Sequence, residues 1–440
     1  MTQTALTIVT RISEGQVEPL RAELDPAGTA AGPRLLERFA ALPILHFACL
    51  FIADATPELP ACLVFEVNID GAADDFVDRL LGVAGDELDA VYRYCADYPG
   101  SAGRQITKAF LLCHDFGAVA FFVGCPGRSV GQIRREAALH MALQGVIDGG
   151  AGGAGNHAGD IMATARALRS SLPDDFSWAV DTAARPFLVS YGKAVMVATA
   201  VAIMLVLVLL ADLLTPVGLL LFLTLPIAVF LAALRWHELH DDAAVKQAPV
   251  AAMPAREVAI LELESRPGRV QNHLASVTCV KSGVFRLATL KFVLRSIDVL
   301  GRLLYNRGRL GKATGIHFAR WTLVDGDRRL LFMSNFDGSW ESYLDDFILF
   351  ASSGLSAVFS NTVGFPKTRF LVRGGARDEP RFKAFAAASQ VPSLLWYSAY
   401  PDLTVGNIDN NTALRQGLSA GLDMVTADAW LRRFAGGEPS

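Results

Sequence analysis

Two long apolar runs near the middle of the chain stand apart from the short alternating patterns on either side. Ala194 to Leu214 reads AVMVATAVAIMLVLVLLADLL, 21 residues with a single charge, Asp212, close to its end. That length crosses a bilayer core as a helix. After Thr215-Pro216, the 18 residues from Val217 to Leu234 carry no charge, and Pro226 predicts a kink in the second helix. Together the runs predict a transmembrane helical hairpin, 194–214 and 217–234. A buried helical pair of a soluble protein would keep a polar face, which neither run has.

The flanks orient the hairpin. Arg185 and Lys193 precede it, Arg235 and Lys246 follow it, and the connecting turn has no positive charge, so both soluble halves are expected on the cytoplasmic side of the inner membrane. Tyr191 and Trp236 fall where interfacial aromatics belong. The N-terminus, MTQTALTIVTRISEG, lacks the charged start and long apolar core of a secretory signal. Just past Trp236, His237-Glu238-Leu239-His240-Asp241-Asp242 puts two His on one helix face, a pattern that can hold a metal, although a solvated juxtamembrane segment explains it as well.

Outside the hairpin, short motifs recur in one order. Ile12–Val17 resembles Ser265–Val270; Ile44-Leu45-His46-Phe47-Ala48 corresponds to Gly315-Ile316-His317-Phe318-Ala319; Val67-Asn68-Ile69-Asp70-Gly71 to Ser334-Asn335-Phe336-Asp337-Gly338; Tyr98-Pro99 to Phe365-Pro366; and Pro126–Ile133 to Pro401–Ile408. Five blocks in register predict an internal duplication. The first copy reads as strand 6–12, helix 15–24, strands 45–53 and 61–68, helix 72–85, then a strand and a helix. The second reads as strand 258–264, helix 268–276, strands 316–324 and 329–335, helix 339–351, and further segments at 368–373, 394–398 and 404–418. A β-α-β-β-α-β order is the ferredoxin-like unit. The expected fold class is therefore α+β: two tandem ferredoxin-like units forming a pseudo-dimeric α+β barrel, sheet against sheet, with the transmembrane hairpin inserted between them. The expected division is a first unit at 1–148, a glycine-rich linker and helix at 149–192 (helix near 158–171), the hairpin at 193–236, a linker at 237–256, a second unit at 257–425 and a tail at 426–440.

One segment of the second half lacks a counterpart in the first and reads as an insertion. Over 285–306, Leu287, Leu290, Leu294, Ile297, Leu300 and Leu304 recur at helical steps, while Arg286, Lys291, Arg295 and Arg302 fall largely off that stripe. Lys281, Arg307, Arg309 and Lys312 add to the charge. A basic amphipathic helix of this kind lies on an anionic lipid surface; the competing reading is a helix packed on its own domain.

Composition narrows the function classes. With 52% hydrophobic and 19% charged residues, the apolar excess is consistent with lipid contact. A net charge of −4, without basic stretches spaced by aromatics, argues against nucleic acid as a partner. Cys49, Cys62, Cys95, Cys113, Cys125 and Cys279 occur singly and read as reduced, buried thiols. No P-loop, nucleophile elbow, zinc-protease signature or Rossmann fingerprint is present.

Asp70 and Asp337, each at a strand end before a glycine, suit N-caps of the helices that follow. His46 and His317 occupy equivalent strand positions, as buried scaffold histidines or as proton-transfer groups. Residues found in one copy only are better functional candidates: Arg320, Trp321, Trp340, Glu341, Tyr343, Asn361, Tyr397, Tyr400 and the run Asn407-Ile408-Asp409-Asn410-Asn411, whose poor helix formers need a reason other than propensity.

In its paired units and the Asp-Gly after a strand, the chain resembles the dimeric α+β barrel superfamily, which includes dye-decolorizing peroxidases and chlorite dismutases, over residues 1–148 and 257–420. The resemblance implies haem in the second unit, with a proximal His on a helix and an Asp and an Arg on the distal side. Asp337 matches the distal Asp, without the leading Gly of the family's motif, and Arg320 is the candidate Arg. The last helix of the second unit has no His, for Arg415 stands where the first has His140; His273 and His317 are the remaining histidines. The expected catalytic set is thus Asp337, Arg320, His317 and Glu341, with His273, Arg415, Asn407 and Asn411 as cofactor contacts. Two functions lead: a membrane-bound peroxidase-type oxidoreductase acting on a lipophilic substrate, or a non-catalytic membrane-bound ligand-binding or scaffold protein that holds a lipid or a partner enzyme; a transporter or channel ranks third, since two spans form a pore only as a homo-oligomer.

Overall fold

A computed structural model describes residues 2–25, 30–100, 103–148, 187–213, 216–241, 270–304, 315–419 and 424–435, with isolated positions between them. The expected glycine loop 149–155, the strand 258–264, linker residues 242–256, the helix 158–171 apart from two positions, and Arg185, Lys246, Arg307, Arg309 and Lys312 lie outside the described residues.

The fold is α+β with antiparallel sheets. In the first half β1 (Gln3–Arg11) is followed by α1 (Val17–Glu23), α2 (Ala31–Ala40), β2 (Leu45–Ala53), β3 (Cys62–Asp70), α3 (Ala73–Tyr92), α4 (Arg104–Cys113), β4 (Ala120–Val123) and α5 (Val130–Val146). Two long helices follow, α6 (Phe187–Leu213) and α7 (Pro216–Leu239). The second half runs β5 (Gln271–Cys279), α8 (Val284–Leu304), β6 (Ile316–Val324), β7 (Arg329–Asp337), α9 (Trp340–Phe359), the short strands β8 (Thr368–Arg369) and β9 (Arg373–Gly374), α10 (Glu379–Ser389), β10 (Gln390–Val391), β11 (Leu395–Ser398), α11 (Val405–Ser419) and α12 (Met424–Leu431).

The large sheets are ordered β1-β3-β2-β11 and β10-β5-β7-β6-β4. The first contains three strands of the first half and the second four strands of the second half, and each gains one edge strand from the other half: β11 pairs with β2, and β4 with β6. Crossing to the far sheet demands a close approach at the end of β4. A Cβ on Gly124 would lie 1.9 Å from the Ile316 carbonyl oxygen, so only glycine fits there. Both β2 and β6 carry a bulge at their histidine, between Leu45 and Phe47 and between Ile316 and Phe318.

The central strands are buried on both faces because each sheet has helices on one side and the other sheet on the other. In β3, Leu63, Phe65, Val67 and Ile69 pack under α2 and α3, whereas Cys62 and Val64 join Val9, Cys49, Phe51, Ala275, Leu331 and Met333 in a core shared by the two sheets. The opposite face of β6 and β7 meets α8 and α9 through Leu290, Leu294, Trp321, Phe332 and Phe347.

Several expectations are corrected. Residues 271–276 of the predicted helix 268–276 belong to strand β5; its polar run Gln-Asn-His is tolerated because each side chain is hydrogen-bonded, Gln271 to the Tyr400 carbonyl, Asn272 to the Gly338 carbonyl and His273 to Glu66. Helix α8 is no insertion, since it joins β5 to β6 as α1 and α2 join β1 to β2. Of its leucine stripe, Leu290 and Leu294 are core residues with Leu287 and Ile297 packed beside them, whereas Leu300 is exposed. Of its cations, Arg286 is buried against Asp241 and Lys291 pairs with Asp327, while Arg302 pairs with Asp298 one turn away and Arg295 is exposed. The exposed stripe is instead Val284, Ala288, Phe292, Arg295, Val299 and Arg302. The expected tail contains most of helix α12. Among the cysteines, Cys113 is exposed and Cys279 half-buried, the other four being buried.

Among the described residues, Leu220–Leu239 is the one helix long and apolar enough to cross a membrane; Val197–Val208 is a shorter apolar helix. Side chains such as Leu221, Phe222, Ile227 and Val229 on α7 are exposed. The segment after Trp236, read as solvated, is so only in part: Leu239 and His240 are exposed, whereas the Glu238 and Asp241 side chains are buried. Glu238 is buried, accepts the backbone N–H groups of Phe370 (3.0 Å) and Leu371 (2.9 Å), and pairs with Arg235 at 3.2 Å. Asp241 takes Lys281 at 2.6 Å and Arg286 at 3.1 Å. These two carboxylates dock the end of α7 onto the second half.

Candidate functional site

The paired Asp and His build two copies of one structural device. His46 Nε2 lies 3.1 Å from Asp70 Oδ1, and Asp70 Oδ2 accepts the Val130 N–H at the start of α5 (2.8 Å). His317 Nε2 lies 2.7 Å from Asp337 Oδ1, and Asp337 Oδ2 accepts the Val405 N–H at the start of α11 (2.8 Å). Neither Asp caps the helix next in sequence, where Ala72 and Ser339 hold the N-cap positions. Each carboxylate instead fixes the first turn of a distant helix, where the free N–H groups and the helix dipole favour negative charge.

The other predicted residues are dispersed. Asn407 exchanges hydrogen bonds with Thr404, its Oδ1 accepting the Thr404 N–H (3.0 Å) while its own N–H donates to Thr404 Oγ1 (2.9 Å), a reciprocal helix-start cap. Arg415 donates to Glu136 (2.7 Å), and Asn411 Oδ1 lies 2.7 Å from His140 Nδ1, both tying α11 to α5. Asp409 pairs with Arg128. Glu341 is exposed in the first turn of α9.

Arg320 and His273 do meet, around a residue that sequence reasoning missed. Glu66 projects from β3 into the space between the sheets, with its Oε2 2.6 Å from His273 Nε2 and its Oε1 3.2 Å from Arg320 Nη2. Asn68 and Asn335 each donate to Glu66 Oε1 at 3.2 Å. Arg320 is wholly buried and donates to the carbonyls of Leu6 (2.6 Å) and Val67 (2.9 Å), and to Asn68. His273 Nδ1 lies 2.7 Å from Ser393 Oγ and 3.4 Å from Cys49 Sγ. Burial alone would raise the Glu66 carboxyl, but the charges of Arg320 and His273, with hydrogen bonds from His273 and Asn68, outweigh it and hold it down to about 2. Burial opposes the His273 imidazolium, yet Cys49 and Glu66 push it up to about 10.

Register shows how one-sided this cluster is. Asn68 faces Ala5 where Asn335 faces His273, and Glu66 faces Cys49 where Met333 faces Arg320. The three charges thus sit where the matching strand of the other sheet has Met333, Ala5 and Cys49. The signal available in the sequence was a lone carboxylate in the middle of an apolar strand, and it was overlooked because nothing near it in the chain is basic.

The residues that the resemblance assigns to haem do not fit that group. An axial ligand must offer a free imidazole nitrogen, and both His273 nitrogens are engaged, with its ring held protonated by Glu66. Both Asp337 oxygens are taken by His317 and Val405, and Arg320 points into the first half. Among the described residues, no three His, Cys, Asp or Glu side chains gather to hold a metal ion.

Room for a ligand lies elsewhere. Between α8, α9 and the outer face of β4 and β6 is a cavity of about 440 Å³, walled by apolar side chains that include Phe121, Ile297, Leu300, Trp321 and Phe350, with Arg377 on its lining. Leu300, Leu349 and Phe350 are themselves exposed. Arg377 has no ion pair among the described residues.

Compared with known proteins, the chain matches no family model, no curated protein and no solved structure.

Proposed function

We propose that this protein is a non-catalytic, membrane-anchored α+β protein that holds a lipophilic, negatively charged ligand, such as a fatty acid, in the cavity between α8 and α9. The observation that carries the reading is the cavity itself. Its size falls in the range of small-molecule sites, its walls are apolar, and a single unpaired cation, Arg377, supplies the polar anchor. The buried charges, by contrast, are spent on one another, which favours binding over catalysis.

The same reading takes α6 and α7 as two spans of a hairpin, with both halves at the cytoplasmic face of the inner membrane. Support comes from the exposed apolar side chains of α7 and the positive flanks. It also takes the two halves as duplicated ferredoxin-like units forming a pseudo-dimeric barrel distantly related to the dimeric α+β barrel superfamily. The shared strand order β1-β3-β2 and β5-β7-β6, the repeated bulge and the repeated Asp–His device support this. The fourth strand of each unit is exchanged with the other.

Mass spectrometry of lipid extracted from the purified full chain tests the ligand. A long-chain acid should be recovered with the parent protein and depleted at least fivefold in Gly301→Leu/Ala351→Phe, which fills the cavity. Equal recovery from both proteins refutes the assignment. Reporters fused at residues 1 and 440 should both be cytoplasmic, and a periplasmic signal at either end would overturn the hairpin.

A further inference from the structure

A second cleft, distinct from the apolar cavity, lies where α7 ends. It encloses about 390 Å³ and is lined by Arg235, Lys281, Arg286, Lys367, Arg369 and Arg373, with Glu238 and Asp241 as its two acids. Both acids are already used, Glu238 by Arg235 and the β8–β9 loop, and Asp241 by Lys281 and Arg286. Lys367, Arg369 and Arg373 are exposed and carry no ion pair among the described residues. Beneath them Arg286 is 3% exposed, and its Nη1 has no hydrogen-bond partner among the described residues. A buried guanidinium nitrogen left unpaired is costly, and here it belongs to a residue lining a cleft with an excess of positive charge. Burial, with Arg286 as a further opposing charge, lowers the Lys281 ammonium despite Asp241. An anion in the cleft would relieve both.

We propose that this cleft binds the phosphate of an anionic phospholipid headgroup and so sets the second half against the bilayer. Phosphate suits the site because guanidinium groups recognise its oxygens in pairs. The lipid source, rather than free phosphate, is favoured by position. The cleft opens at the terminus of the apolar helix α7, beside Trp236 (57% exposed) and Leu239 (65%), and next to Val372 (40%). Arg373 and Arg369 thereby stand at headgroup depth with apolar side chains beside them. The proposal rests on the membrane placement of α7, and it moves lipid recognition from the outer face of α8 to this cleft.

Binding of dioctanoyl phosphatidylglycerol to the full chain in non-ionic detergent, against dioctanoyl phosphatidylcholine and inorganic phosphate, tests it. The anionic lipid should saturate at least tenfold more tightly than either, and weaken as salt rises to 0.5 M. Lys367→Gln/Arg369→Gln/Arg373→Gln alters exposed side chains, so its melting temperature should match the parent while its affinity falls at least tenfold. Arg286→Gln should weaken binding as well, judged only if it melts with the parent. Equal binding of the two lipids, or an unchanged triple variant, overturns the proposal. Phosphate binding as tightly as the anionic lipid overturns the lipid source. Alkaline carbonate extraction separates this failure from that of the membrane reading: a protein released to the supernatant sinks the latter, whereas one retained in the pellet yet indifferent to the anionic lipid sinks only the headgroup site.

Discussion

Replacing Glu66 by Gln keeps the shape of the side chain and removes the one negative charge between two buried cations. Its carboxyl is held at about 2 against an ordinary 4.5, and with about 1.4 kcal/mol for each tenfold change in proton affinity the stabilisation is on the order of 3 kcal/mol. That agrees with the roughly 3–5 kcal/mol expected when one partner of a buried pair is removed. The value for His273 reports the same contact from its other side and is not added. Because the Glu66 carboxyl is depressed, its contribution is present above pH 4.5 and is lost as the pH falls through about 2. Because the His273 imidazole is raised from 6.5 to about 10, its contribution is present below pH 6.5 and is lost as the pH rises through about 10. Urea unfolding of the full chain in non-ionic detergent, at a series of pH values, reads both. Glu66→Gln should unfold about 3 kcal/mol more easily at pH 6, with a flatter decline toward pH 10, since His273 then sheds its proton near neutrality in both states. A variant within about 0.5 kcal/mol of the parent, with the same alkaline decline, would refute the pairing.

Asp337→Ala should cost about 1–2 kcal/mol in the same unfolding assay, and Asp70→Ala more, because Asp70 is the less exposed and holds a His46 that continues to the Tyr400 hydroxyl at 2.8 Å. Gly124→Ala should cost at least about 2 kcal/mol by forcing β4 off β6, detected as faster amide exchange along β6; unchanged exchange would contradict the contact at Ile316. Glu238→Gln should speed proteolysis at residues 367–374, because Phe370 and Leu371 hold left-handed backbone (φ 54° and 63°) that the carboxylate fixes through their N–H groups. Cleavage at the parental rate would show that the loop holds itself.

Local pattern was enough for the elements whose signals are local. The apolar lengths at 194–214 and 217–234 announce helices α6 and α7, and the alternation around His46 and His317 places β2, β3, β6 and β7 within two residues of their observed ends. Helix α11, with its Asn-rich start, was placed to within a residue. Strand β5 was misread because Gln271, Asn272 and His273 look like a solvated helix face until their partners are known, and those partners are 66 to 224 residues away. The same holds for the site. That Asp337 serves the helix at 405, that Arg415 serves Glu136, and that Glu66 gathers Arg320 and His273 are contacts of one half with another element far along the chain. Tertiary structure also decided which face of α8 packs on the protein, since a stripe of leucines beside a row of cations suits a protein core or a lipid surface equally. A helix's periodicity fixes which residues share a face, whereas what that face touches depends on the free energy of the whole packed assembly. Asp241, outside the helix altogether, is what turns Arg286 from a surface cation into a buried one.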